Sequence, residues 1–80
     1  MLADMKAHYI FDSASPHFLR IAQERVREAT GASVEVKATG DPARGTFIVS
    51  STETSKLEAA KTLLAMSPYS IFRPAGEATP

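Results

Sequence analysis

Four cationic side chains offer the clearest chemistry in this sequence, because each can contact a phosphate group. An arginine guanidinium forms paired hydrogen bonds with phosphate oxygens, and a lysine ammonium attracts them as a point charge. Most of these cations also have an acidic neighbour, and an exposed pair one helical turn apart stabilises a helix by only about 0.2–0.5 kcal/mol. A solvated surface charge is therefore the competing interpretation for each of them. The four cations are Arg20, Arg25, Lys37 and Arg44.

The sequence lacks the residue patterns of common catalytic sites. It holds no serine or cysteine nucleophile in a recognisable elbow, no H-E-x-x-H motif and no Gly-rich phosphate loop between a strand and a helix. Glu24 and Glu28 lie one helical turn apart, but arginines between them favour a solvated helix face over a catalytic carboxylate pair. Without cysteine, and with only His8 and His17, a structural metal site would need carboxylates as ligands. We therefore expect no enzymatic activity, no metal and no cofactor.

Length and composition indicate one small domain. The chain has 80 residues, of which 44% are apolar and 22% are charged, as in ordinary globular proteins. Lysine and arginine number 9, as do aspartate and glutamate, so attraction to nucleic acid or to an anionic membrane has to be local. The sequence shows no apolar run long enough to span a membrane, no signal-peptide pattern and no cysteine. We expect an intracellular protein, cytoplasmic or nuclear.

A helix that ends at a glycine and leads directly into a strand is the centre of the sequence. Ser15 and Pro16 predict the helix start, and Gly31 predicts its end, because glycine adopts the left-handed cap conformation without a Cβ penalty. Periodicity leaves open whether residues 16–30 form one helix or two. The period then drops to two, and residues 33–37 predict a strand whose valines share one apolar face. The predicted buried face of the helix consists of Phe18, Ala22, Val26 and Ala29.

The remaining segments predict two further strands and a second helix. Residues 7–11 and 46–50 are rich in β-branched and aromatic side chains, and the turn formers of residues 39–45 predict a hairpin. Residues 55–58 fit a capping box that begins a helix, and the Ser-Pro pair at 67–68 ends it. The order β-α-β-β-α indicates an α+β domain with helices on one face of an antiparallel sheet. The predicted division is a loose N-terminus (1–6), the domain (7–68) and a C-terminal extension with a flexible tail (69–80).

Several stretches together resemble a known family. R-E-A-T-G-A-S-V-E-V at residues 27–36 is followed by a Gly/Asp/Pro loop, by T-F-I-V-S-S at residues 46–51 and by L-E-A-A-K-T-L-L at residues 57–64. This pattern resembles a K-homology (KH) domain of the eukaryotic type I kind over residues 7–66. The resemblance implies a β-α-α-β-β-α fold with a three-stranded antiparallel sheet and helices packed on one face. It also implies a groove for about four nucleotides of single-stranded RNA or DNA, clamped by a G-x-x-G loop between the first two helices.

The binding loop of the family is absent from this sequence. Spacing from Gly31 puts the loop at H-F-L-R, residues 17–20, which contain no glycine. Glycines let backbone N–H groups approach phosphates, whereas Phe18 and Leu19 would block that approach and prefer burial. We therefore expect a degenerate KH domain in which one continuous helix replaces helix-loop-helix. The RNA contacts implied by the resemblance are Arg20, Ile21, Arg25, Val36, Lys37 and Arg44.

Two functions from different classes follow. In the first, the domain belongs to an RNA-associated protein in post-transcriptional regulation, and binds single-stranded RNA weakly or beside neighbouring KH domains. In the second, it no longer binds RNA and serves as a protein–protein interaction module, either a scaffold or a homodimer. Neither function involves a membrane. The protein contacts of the second would be Tyr69, Ile71 and Phe72.

Overall fold

The chain forms one antiparallel sheet and two helices. A computed structural model describes residues 4–40, 42–66 and 69–75. This architecture confirms the predicted α+β class. The elements are β1 (Met5–Ala14), α1 (Pro16–Thr30), β2 (Ser33–Thr39), β3 (Ala43–Ser51), α2 (Thr54–Leu64), a 3₁₀ helix (Tyr69–Ile71) and β4 (Arg73–Pro74).

The sheet has four strands in the order β2-β3-β1-β4, rather than the three that were predicted. The added strand β4 is short and pairs with β1 through Tyr9 with Pro74 and Ile10 with Arg73. One more backbone bond, from the Ala75 N–H to the His8 carbonyl at 2.8 Å, continues this pairing. The first residues of the predicted loose tail are therefore part of the sheet, while residues 76–80 lie outside the described residues.

Local signals set both ends of α1. The Ser15 hydroxyl oxygen accepts a hydrogen bond from the Phe18 N–H at 3.0 Å, and Pro16 occupies the first turn. At the other end Gly31 has φ 82°, and its N–H donates to the Arg27 carbonyl at 3.0 Å. α1 is one continuous helix with the predicted bounds, which decides the alternative that periodicity left open.

Two details of the helices differ from prediction. Leu19 is buried and Ala29 is exposed, so the buried stripe of α1 follows residues 19, 22 and 26. α2 begins before the predicted capping box: Glu53 is its N-cap residue and makes no side-chain cap bond. A preceding turn sets this start instead, since the Glu53 N–H donates to the Ser51 hydroxyl at 2.9 Å. The predicted stop at Ser67 and Pro68 lies outside the described residues.

Strand alternation gives the sheet two different faces. On the helix-covered face, paired residues such as Tyr9 with Phe47 and Val36 with Phe47 pack in the core beneath α1 and α2. On the open face, the pairs His8 with Ile48 and Glu35 with Ile48 point the other way. The two faces therefore carry alternate residues of every long strand. The helix-covered face consists of Ala7, Tyr9, Phe11, Val34, Val36, Phe47 and Val49.

The C-terminal segment belongs to the core. Tyr69 and Phe72 are both buried, and the Phe72 ring lies 4.5 Å from that of Phe47 and 5.6 Å from that of Phe11. Phe18 at the start of α1 packs against the same two C-terminal rings, at 5.9 and 6.0 Å. The compact unit thus runs from the start of β1 to β4, beyond the predicted domain end at residue 68.

The β2–β3 hairpin requires a glycine at position 45. Gly45 lies opposite Ala38, and a Cβ atom there would clash with the Lys37 carbonyl oxygen and sit 2.8 Å from the Ala38 Cα. Because these are backbone atoms of a paired strand, they cannot yield without breaking the ladder. The hairpin is also tighter than predicted, since β2 continues to Thr39 and β3 already begins at Ala43.

We expect Gly45→Ala to lower the free energy of unfolding by about 3 kcal/mol, the upper end of the cost of overpacking. Gly40→Ala is the matched control: with φ 89° and no close backbone neighbour under 3.3 Å, it should cost only about 1 kcal/mol of backbone strain. Urea unfolding followed by circular dichroism measures both. Equal stability of the two variants would contradict the close packing at position 45.

Candidate nucleic-acid interface

One side of α1 faces the edge strand β2. The Gln23 side-chain amide donates to the Val34 carbonyl at 3.5 Å. One surface cavity of about 410 Å³ lies at the corner between α1 and β2, where it is lined by Arg27, residues 31–33 and Val34. Arg20 lies on the same side, because residues at i, i+3 and i+7 share one helical face. We call this region the α1–β2 groove. It consists of Arg20, Gln23 and Arg27 on α1 and of Val34 and Val36 on β2.

The groove combines an apolar strand surface with polar and cationic side chains. Val34 and Val36 are only partly buried, although they pack against the core, so part of each remains accessible. Arg20 and Arg27 are exposed on the helix. Arg27 also lines a second cavity with Glu24 and Glu28, which reduces the positive potential at that end. An apolar floor with separated cations can accept a base and its phosphates, but without a strong field.

Two of the predicted RNA contacts on α1 point elsewhere. Successive residues of a helix are rotated by about 100°, so Arg25 lies about 140° around the axis from Arg20. Ile21 is 43% exposed on the outer surface of α1 and does not form a groove floor, which the two valines of β2 provide instead. Gln23 and Arg27 were not among the predicted contacts. Their spacing from Arg20 was available, but only the contact with β2 identifies which side of α1 matters.

The two predicted contacts from the sheet lie on its open face. Lys37 follows Val36 in β2, so its side chain points away from the helices and lies 3.8 Å from Glu35. Arg44, predicted in a loop, is within β3 and pairs with Thr39, on the same face as Lys37. Lys37 and Arg44 therefore lie on a different face of the sheet from the α1–β2 groove, because strand alternation separates them from Val34 and Val36.

The segment at which the resemblance predicts a G-x-x-G loop is the first turn of α1. The Phe18 N–H donates to the Ser15 hydroxyl, and the Leu19 N–H donates to the Ser15 carbonyl at 3.1 Å. Leu19 is buried, and Phe18 packs on Tyr69. The N–H groups of Phe18 and Leu19 are thus already bonded within the helix, so neither of them is available to a phosphate.

The predicted protein contacts at the C-terminus differ in their exposure to solvent. Tyr69 is 8% exposed and Phe72 is 3% exposed, because both rings complete the core. Only Ile71, at 39%, presents its side chain to solvent. The prediction of a three-residue apolar cluster offered to a partner is therefore wrong for two of its members.

The described part of the chain shows neither a cluster of metal ligands nor a membrane-spanning helix. No group of three or more histidine, aspartate or glutamate residues in residues 4–40, 42–66 and 69–75 is placed to hold a metal ion. Among the described helices, none has the length and apolar character needed to cross a membrane. Comparison of the chain with protein-family models, with curated proteins and with solved structures finds no match.

Replacing Phe72 tests the assignment of the C-terminal segment to the core. Phe72→Ala should lower the free energy of unfolding by about 3–5 kcal/mol, as expected for a buried aromatic ring. Ile71→Ala should lower it by only about 1 kcal/mol, because that side chain is 39% exposed and has less buried area to lose. Thermal unfolding of the two variants measures the difference. A Phe72→Ala protein as stable as Ile71→Ala would mean that the ring does not complete the core.

Proposed function

We propose that this chain is a degenerate KH module of an RNA-associated protein, and that it binds single-stranded RNA weakly through the α1–β2 groove. The order of long elements, β-α-β-β-α, and the packing of both helices on one sheet face support this proposal. So does the sequence resemblance across residues 27–36, which form the α1–β2 corner. The proposal includes a role in post-transcriptional regulation.

The observation that carries the proposal is the set of side chains at the groove. Arg20 and Arg27 lie about 10 Å apart along the helix axis, so they contact different phosphates of one strand. Val34 and Val36 provide an apolar surface under the bases, and Gln23 offers an amide to a base edge at the expense of its long bond to Val34. The combination suits an extended, unpaired strand, whose bases are exposed for contact.

Several features make this binding weak. In the segment where the resemblance predicts a Gly-rich loop, the N–H groups of Phe18 and Leu19 are bonded within the first turn of α1. Glu24 and Glu28 lie beside Arg27, and the formal net charge of the chain is zero. Few phosphates are neutralised, so few counterions are released. Neighbouring RNA-binding domains in the same protein would then supply most of the affinity.

The proposal is tested by NMR titration of the domain with a randomised pool of single-stranded RNA at low and moderate salt. Amide shifts should gather at residues 20–27 and 33–37 and fade as salt rises. Arg20→Ala with Arg27→Ala should weaken binding and lower the salt slope by about one for each arginine removed. No shifts in a folded sample would overturn the RNA proposal.

Lys37→Ala with Arg44→Ala is the matched control. It removes the same number of positive charges, but from the open face of the sheet, so it should leave the dissociation constant within about twofold at moderate salt, where long-range fields are screened. If both double variants weaken binding equally, the attraction is a general effect of charge and the α1–β2 groove is not the binding site.

A further inference from the structure

β2 is a regular edge strand, and among the described residues no other strand pairs with its outer side. β2 is the first strand in the order β2-β3-β1-β4, and its seven residues pair with β3 on one side only. It contains no proline, and its register with β3 is unbroken from Ser33 to Thr39. Natural proteins usually block such an edge with proline, a bulge, charged side chains or a covering segment, because its unpaired backbone groups bind other strands. Of the devices within the strand itself, β2 has only the charges of Glu35 and Lys37.

Alternate residues of β2 direct their backbone groups outward. The Val34 carbonyl accepts the Gln23 side chain, which reaches it from α1 and not from β3. In an antiparallel ladder the N–H and C=O of one residue point to the same side, and the side alternates along the strand. Val34, Val36 and Ala38 therefore present outward N–H and C=O groups, and only the first of these carbonyls has a side-chain donor in the described structure.

We infer that β2 pairs with β2 of a second copy of this chain, in an antiparallel arrangement with Val36 on the two-fold axis. Every residue of the strand then meets a compatible partner. On the open face, Glu35 lies opposite Lys37 of the second copy, and Ser33 lies opposite Thr39. On the helix-covered face, Val34 lies opposite Ala38, and the two Val36 side chains meet. Opposite charges and Thr–Ser hydroxyl pairs are cross-strand combinations that stabilise sheets.

Charge also selects this register. A shift that keeps the outward groups paired moves the two-fold axis by one residue, to Glu35 or to Lys37. An axis at Glu35 places Glu35 opposite Glu35 of the other copy. An axis at Lys37 places Lys37 opposite Lys37 of the other copy. Like charges directly opposite each other are destabilising. Only the register centred on Val36 matches both charged residues, and it forms by isologous contact, so the assembly closes as a dimer.

The helix side of this interface carries mixed charge. Arg27 lines a cavity with Glu24 and Glu28 on the same helix, so the side of α1 near β2 does not present cations alone. Within each copy, Lys37 and Glu35 are 3.8 Å apart with side chains 68% and 59% exposed, so both are free to turn toward a second strand. The inference does not rest on RNA binding, because the backbone groups of the strand and the charged pairs of the open face determine the pairing, although Val34 and Val36 also belong to the α1–β2 groove.

Charge-reversal variants test the dimer directly. Sedimentation velocity over a range of protein concentrations should show the wild-type chain in a monomer–dimer equilibrium. Glu35→Lys and Lys37→Glu should each raise the dissociation constant by about tenfold or more, because two attractive pairs become repulsive by symmetry. An equimolar mixture of the two variants should recover the wild-type association, since each variant then faces opposite charges.

Circular dichroism of each variant checks that the exposed substitutions leave the fold intact. Protection of the Val36 amide from hydrogen exchange should rise with protein concentration in the wild type and in the mixture, but not in either variant alone. A wild-type chain that remains monomeric up to millimolar concentration overturns the inference. So does a dimer that neither substitution weakens, since that dimer would use another surface.

Discussion

The packing of Phe72 is the interaction on which the rest of the structure depends. Its ring contacts Phe11 on β1, Phe18 on α1 and Phe47 on β3, with ring centres 4.5 to 6.0 Å apart. Such aromatic pairs each contribute about 0.5–1.5 kcal/mol beyond the apolar area that they bury. Phe72, a single residue near the C-terminal end of the described chain, therefore joins the first helix to two strands of the sheet. An Arg73–Asp12 ion pair at 2.7 Å lies beside this segment on the surface.

The same packing determines what the start of α1 can do. The Phe18 ring packs against the rings of Tyr69 and Phe72, and Leu19 is buried. This segment therefore cannot open into a loop without exposing apolar surface. In a Gly-rich loop, backbone N–H groups would contact phosphates at low entropic cost. Here the Phe18 and Leu19 N–H groups are already bonded, so the contact depends on long side chains, and each of these loses rotamer freedom when it is ordered. The proposed RNA binding is weak for this reason.

Alternation along β2 divides its functions among separate surfaces. Val34 and Val36 face the helices, Glu35 and Lys37 face the open side of the sheet, and the backbone faces the free edge. A single strand can thus supply an apolar floor to the α1–β2 groove and a self-complementary edge to a second copy. Both roles use a strand whose pairing partner, β3, is fixed on the opposite side by the close approach at Gly45.

The sequence by itself determined the elements whose signals are local. The bounds of α1 follow from Ser15, Pro16 and Gly31, which act within a few residues of the bonds they make. The alternation of β2 was also readable, and with the element order it gave the α+β class. The sequence does not show that Gln23 and Arg27 lie beside β2, because the helix pattern shows which residues share a side but not which side meets β2.

Only the tertiary structure decided the positions that depend on distant partners. The short strand β4 and the burial of Tyr69 and Phe72 arise from contacts with β1 and α1, more than fifty residues away in the sequence, as the pairing of Ile10 with Arg73 illustrates. The direction of Arg44 depends on the register of β3, which the tight hairpin and the close packing at Gly45 set together. An apolar C-terminal segment has the same composition whether it packs in its own core or binds another chain. The physical reason is that burial depends on which surfaces meet, whereas a sequence pattern records only which residues are apolar.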